Sequence, residues 1–177
     1  MRLFIAINFP EEILDKIENI KECIAQYAQE GRFVSRENLH LTLEFLGEIP
    51  EEKVPKIIEV MELIHTPPFT LSLTGTGTFK RKDGEIFWLG IVKNQTLLDL
   101  QRELHQYLVE RDFELEDRQY RPHITLGRKV RLRETFNPQE LKESIAEIQI
   151  PVNSIELMKS EHISGKLVYT EIFSKDL

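Results

Sequence analysis

The chain carries the tetrapeptide His-x-Thr-Leu twice, as His40-Leu41-Thr42-Leu43 and as His123-Ile124-Thr125-Leu126. With 5 histidines in the chain, random placement yields two such matches with a chance on the order of one in two thousand. An unperturbed imidazole titrates near ~6.5, so at neutral pH one copy can take a proton while the other gives one. A Thr hydroxyl can donate to a phosphate oxygen and accept from a neighbour. Two His and two Thr facing one small ligand make a metal-free site for attack on a phosphodiester. One His deprotonates the incoming oxygen, the other protonates the leaving oxygen, and Thr and Arg groups stabilise charge on phosphorus.

Both copies lie in alternating apolar runs that read as β-strands, over 39–46 and 122–130. Side chains in a strand alternate between faces, so a His and a Thr two apart point the same way. Strict alternation sends Leu39, Leu41, Leu43 and Phe45 to the core and His40, Thr42 and Glu44 to the open face. In the second strand Pro122, Ile124 and Leu126 go inward, leaving Arg121, His123, Thr125 and Gly127 outward. Arg128 falls on the wrong face and serves the site only if the strand ends or bulges at Gly127, which glycine permits.

The elements around these strands follow from periodicity. A strand over 2–9 precedes a helix from about Pro10 to Glu30, with Ile13, Ile17, Ile20 and Ile24 at helical spacing. Residues 32–34 read as a short strand. A second helix runs from Pro50 to about His65, where Pro67-Pro68 stops it. Residues 69–78 and 85–92 read as a hairpin with its tip at 80–84. Asn94 is an N-cap for a helix to about Arg111 that carries Leu97, Leu100, Leu104 and Leu108. Asn137-Pro138 opens a short helix to about Ile145, and runs over 148–158 and 166–173 close the chain as a strand pair around Ser164-Gly165. Each half therefore reads strand, helix, His-x-Thr strand, helix, strand, the second half borrowing its first strand from the hairpin. The expected architecture is α+β, one domain over residues 1–177 made of two pseudo-repeated lobes whose motif strands face each other.

Bulk properties narrow the function. The net charge of −7 argues against a protein that coats nucleic acid non-specifically. Residues 118–133 nevertheless hold Arg118, Arg121, Arg128, Lys129, Arg131 and Arg133 with no acid, and His123 lies among them. Lys80-Arg81-Lys82 forms a second basic cluster. An acidic chain with a basic patch beside paired His suits a phosphate-bearing substrate held at one point. No apolar stretch approaches the ~20 residues of a membrane span, and the apolar start is too short and strand-like for a signal peptide. One cysteine, Cys23, allows no intrachain disulfide, which fits a cytoplasmic protein.

Other chemistries fit poorly. Zinc needs three or four ligands, and neither His-Glu-x-x-His nor a Cys pair occurs. Gly75-Thr76-Gly77 lacks the Lys-Ser/Thr ending of a phosphate loop, and no Gly-x-Ser-x-Gly elbow is present. His65, His105 and His162 read as surface or capping residues.

The stretches Glu37-Asn38-Leu39-His40-Leu41-Thr42-Leu43-Glu44-Phe45-Leu46-Gly47-Glu48 and Arg121-Pro122-His123-Ile124-Thr125-Leu126-Gly127-Arg128 resemble the two signatures of the 2H phosphoesterases. Within that superfamily the chain looks like the bacterial and archaeal RNA 2′,3′-cyclic phosphodiesterases, historically called 2′-5′ RNA ligases. The likeness extends to Arg2-Leu3-Phe4-Ile5-Ala6-Ile7, Gly75-x-Gly77-x-Phe79 and Phe87-Trp88-Leu89-Gly90. The resemblance implies a bilobal fold with two pseudo-symmetric antiparallel sheets lining a central cleft and helices outside. It implies hydrolysis of a terminal 2′,3′-cyclic phosphate to a 2′-phosphomonoester with no metal or other cofactor, on RNA ends or nucleotides, by a monomer. By that analogy His40 is the proton donor, His123 the proton acceptor, and Thr42, Thr125 and Arg128 bind the phosphate. Near two-fold symmetry leaves the two histidine roles open on the sequence itself.

Two positions depart from the family pattern: Arg36 where Pro is frequent, and Glu44 where a basic residue is frequent. On the His40 face, Glu44 would raise the His40 pKa and favour proton donation, and would also repel a polyanion. The alternatives are a cyclic phosphodiesterase of small nucleotides, reversible 2′-5′ RNA ligation, or a non-catalytic module that binds nucleotides or RNA ends. The last has no need of two titratable His with paired Thr.

Overall fold

A computed structural model describes residues 1–177, and every residue falls into an α+β arrangement of two antiparallel sheets with four α-helices. The first sheet contains β1 (Arg2–Asn8), β3 (His40–Glu48), β8 (Ser154–Ile163) and β9 (Lys166–Asp176), in the order β3-β1-β8-β9. The second contains β2 (Ala28–Phe33), β4 (Phe69–Arg81), β5 (Gly84–Ile91), β6 (His123–Leu132) and β7 (Gln149–Val152), in the order β2-β6-β5-β4-β7. The helices are α1 (Glu11–Ala25), α2 (Val54–Glu62), α3 (Gln95–Val109) and α4 (Lys142–Ala146). None is long and apolar enough to cross a membrane.

The runs β1–α1–β2–β3 and β5–α3–β6 each place a helix between a first strand and a motif strand. Each motif strand runs antiparallel to the strand that starts its unit, with His40 opposite Asn8 and His123 opposite Gly90. The halves exchange strands: β2, from the first half, borders β6 in the second sheet, while β8 and β9 complete the first sheet.

Apolar periodicity explains the helices. Ile13, Ile17, Ile20 and Ile24 form the buried stripe of α1, and Leu97, Leu100, Leu104 and Leu108 are fully buried on α3. Asn94 caps α3 by accepting a hydrogen bond from the Leu97 N–H at 3.0 Å. One core cluster of 37 buried residues draws on both sheets and on all four helices. Truncating one of its leucines costs about 2–5 kcal/mol.

Three expectations are corrected. The first helix stops at Ala25 rather than Glu30, because the apolar stripe ends at Ile24 and residues 28–33 are claimed by pairing with β6, Ala28 opposite Leu132 and Phe33 opposite Gly127. The run over 148–158 is two strands that part at Asn153, one joining each sheet. The hairpin strand β4 extends to Arg81, so its turn is shorter than predicted.

Candidate active site

Core-facing leucines aim the two motifs. Leu41, Leu43, Ile124 and Leu126 are buried, at 0–2% exposure, which turns His40, Thr42, His123 and Thr125 to the opposite faces of their strands. Strand β2 covers β6 only from Gly127 to Leu132. Beyond that stretch β6 also approaches β3 of the other sheet.

Each imidazole is clamped in the same way. His40 Nδ1 lies 2.7 Å from the Asn38 carbonyl, and His123 Nδ1 lies 2.7 Å from the Arg121 carbonyl. A carbonyl only accepts, so Nδ1 carries the hydrogen and the lone pair of the neutral ring sits on Nε2. The Thr42 hydroxyl meets His40 Nε2 at 2.9 Å, where it donates to the neutral ring. Asn38 is itself fixed, its Nδ2 donating to the Leu167 carbonyl at 2.9 Å.

Aromatic rings flank both histidines. His40 packs against Phe4 and Tyr169, with centroids 4.9 and 5.3 Å away. His123 meets Phe79 edge-on at 4.9 Å and Trp88 at 6.3 Å. Trp88 lies over Gly77 and Gly90, where a Cβ would stand 2.2 and 3.2 Å from the indole. That close approach gives the Gly-x-Gly-x-Phe and Phe-Trp-x-Gly stretches a physical reason. The indole Nε1 is buried without a partner.

The two imidazoles have electrostatic neighbours in common. Burial holds His40 down at about 4, and the charges of Arg128 and His123 push it the same way. Burial also lowers His123, with Arg128 and Arg118 adding to it. Arg128 therefore bears on both imidazoles. On either side of it β6 is irregular: Leu126 is an extra residue between the Gly127–Phe87 and Thr125–Trp88 pairs, and Lys129, at φ 56°, is another. The bulge expected at Gly127 is present one residue earlier. A groove of about 800 Å³ lies along Arg32, Lys129 and Arg131 and contains neither imidazole.

The chain has relatives among known proteins. The LigT-like phosphoesterase family model matches the chain twice, over residues 7–88 and 89–169. The chain belongs to that family. It is 34% identical to the RNA 2′,3′-cyclic phosphodiesterase of Thermotoga maritima over 96% of this chain and 89% of that one. It is 32% identical to the protein of that name from Methanothermobacter thermautotrophicus over 97% of this chain and 96% of that one. The crystal structure of Escherichia coli LigT complexed with 3′-AMP superposes with a TM-score of 0.85 at 30% identity, covering 99% of this chain and 97% of that one.

In this LigT-like phosphoesterase the departures from the family pattern resolve differently than the sequence suggests. Glu44 is not on the His40 face. Leu43 is an extra residue between the Ile5–Glu44 and Ala6–Thr42 pairs, so the strand bulges there and Glu44 turns inward. It is 8% exposed and meets His105 Nδ1 of α3 at 2.8 Å and Gln101 at 3.3 Å. The same bulge sends Phe45 outward to 48% exposure beside Phe4, contrary to its expected core position. His105 is thus a buried carboxylate's partner rather than a bland surface residue, and its partner lies 61 positions away in sequence. Arg36 bridges Glu11 and Asp15 on α1, each at 2.6 Å, and braces the turn that leads to Asn38 and His40. His162 lies on β8, ahead of the last turn, and is exposed. Sequence reasoning also missed Phe4, Tyr169 and Tyr120 as neighbours of the motifs. The phenol of Tyr120 donates to the Thr42 carbonyl at 2.9 Å.

Proposed function

We propose that this LigT-like phosphoesterase hydrolyses the terminal 2′,3′-cyclic phosphate of RNA to a 2′-phosphomonoester, without a metal, through His40 and His123. The reading rests on one observation: the two imidazoles of the repeated motif are set alike, each with Nδ1 tied to a carbonyl two residues earlier. The names and bound nucleotide of the relatives support it.

In the proposed reaction His123 Nε2 takes a proton from water as the water oxygen bonds to phosphorus. The bond from phosphorus to the 3′ oxygen breaks, and His40 gives that oxygen a proton. Arg128, Thr42 and Thr125 hold the phosphate oxygens while charge builds on them. Solvent returns both rings to their starting states. Burial keeps His40 neutral near pH 7, so the negative phosphodiester opposite it is what lets it hold the proton it donates. Proton loading and substrate binding are one event in this scheme.

The test uses an oligoribonucleotide ending in a 2′,3′-cyclic phosphate, incubated with enzyme and chelator and followed by ³¹P NMR. A 2′-phosphate product that is lost in His40→Ala and in His123→Ala is expected. No product from the wild-type protein, or unchanged turnover in both variants, overturns the reading. A 2′,3′-cyclic mononucleotide run alongside separates RNA ends from small nucleotides as the preferred substrate.

A further inference from the structure

The segment between α3 and β6, residues 110–122, leads into His123, and a hydrogen bond moors it to the strand that carries His40. Strand β3 is the edge of its sheet, so one side of its backbone has no ladder partner. There the Thr42 carbonyl accepts the Tyr120 hydroxyl at 2.9 Å. Thr42 is two residues from His40, and Tyr120 is three from His123. Further contacts secure this mooring. Glu44, turned inward by the bulge at Leu43, is bound by His105 and Gln101 of α3, the helix from which the segment departs. The Tyr120 ring packs against the main core. Arg118, in the same segment, also acts on the Glu44 carboxylate.

We propose that Tyr120 is a positioning residue: its hydrogen bond to the Thr42 carbonyl, backed by the Glu44–His105 pair, sets the distance between the two His-x-Thr motifs. The tie leaves the Thr42 hydroxyl on His40 Nε2, because it is the Thr42 carbonyl that takes the phenol. Loss of the tie leaves every group of the site present and their spacing relaxed. Misplacement on the scale of an ångström is enough to slow an oriented reaction roughly 100-fold.

This inference rests on the phosphodiesterase reading for its kinetic arm only. In that arm, Tyr120→Phe is expected to lower kcat for the cyclic phosphate by roughly 10-fold to 100-fold, more than it raises KM, at a melting temperature close to wild type. Glu44→Ala is expected to show the same split, and Glu44→Gln, which keeps an acceptor for His105, to restore most of the loss. The second arm needs no turnover: NMR titration of the ring nitrogens. His40 is expected to titrate near 4 in the wild type and to climb toward the free value of ~6.5 in Tyr120→Phe as water enters between the strands. A His40 titration unchanged by Tyr120→Phe overturns the positioning role, whatever the activity. If the wild-type protein opens no cyclic phosphate while the His40 titration moves, the functional reading falls and the positioning role stands.

Discussion

The indole of Trp88 rests on Gly77, where a Cβ would stand 2.2 Å from ring carbon Cη2. Gly77→Ala must therefore push the indole off the sheet, and with it the ring that stands beside Phe79 and His123. Overpacking of this kind costs about 1–3 kcal/mol. The expected outcome is a lower melting temperature together with reduced kcat, measured by thermal unfolding and by turnover of the cyclic phosphate. A variant with wild-type values in both would mean that the indole position is of no consequence to His123.

Burial of His40 makes stability depend on pH. Its folded pKa is about 4 against 6.5 for the free ring, so below 6.5 the unfolded chain binds the extra proton. Stability is intact above about pH 6.5 and falls as pH drops toward 4, by up to about 3 kcal/mol for this one group. Glu44 and Glu156, both raised by burial, bias stability the opposite way over neighbouring pH values. The comparison that isolates His40 is wild type against His40→Asn in denaturant titrations across this range. The difference between the two is expected to shrink steadily with acid. Parallel curves would contradict it.

Arg128 lowers both imidazoles. Arg128→Gln should raise the titration midpoints of His40 and His123 together, read by NMR, because a positive neighbour has been removed. The same change should raise KM roughly tenfold or more, since a charged hydrogen bond to phosphate is lost. An upward shift of one histidine alone would place the guanidinium beside a single motif.

Binding of an anion should take up a proton. A nucleoside 3′,5′-cyclic phosphate keeps one fixed negative charge over the useful range, so any pH dependence belongs to the protein. Its Kd is expected to tighten as pH falls from about 7 and to level off near 4, where His40 is protonated without ligand. Calorimetry in buffers of different ionisation enthalpy measures the proton uptake. A Kd independent of pH would separate anion binding from the imidazoles.

Much of this architecture is readable in the chain. The spacing of Ile13 to Ile24 and of Leu97 to Leu108 marks α1 and α3, and alternation around His40 and His123 marks the motif strands. What escaped reading has a common cause, a local pattern overruled by a distant partner. Residues 28–30 have no strand-like composition and form one only because β6 is there to pair with. Glu44 and Phe45 trade faces because β3 carries one more residue than β1 at Leu43. No period-2 pattern reveals such an insertion. Arg128 was legible only through Gly127, whose presence made a bulge permissible. Tyr120 left no signal, because a tyrosine that ties two strands through its hydroxyl resembles any half-buried tyrosine.

The exchange of strands between halves has a consequence for how the molecule comes apart. The two matches to the family model meet between Trp88 and Leu89, in the middle of β5. A cut there would sever the strand that supports His123. The first half would keep β2 without its neighbour β6, and β8 and β9 would be stranded away from β1. Fragments divided at the apparent seam are thus expected to recover structure only when mixed. The intact chain should melt in one cooperative step, so that neither arm of the cleft loosens while the other stays whole.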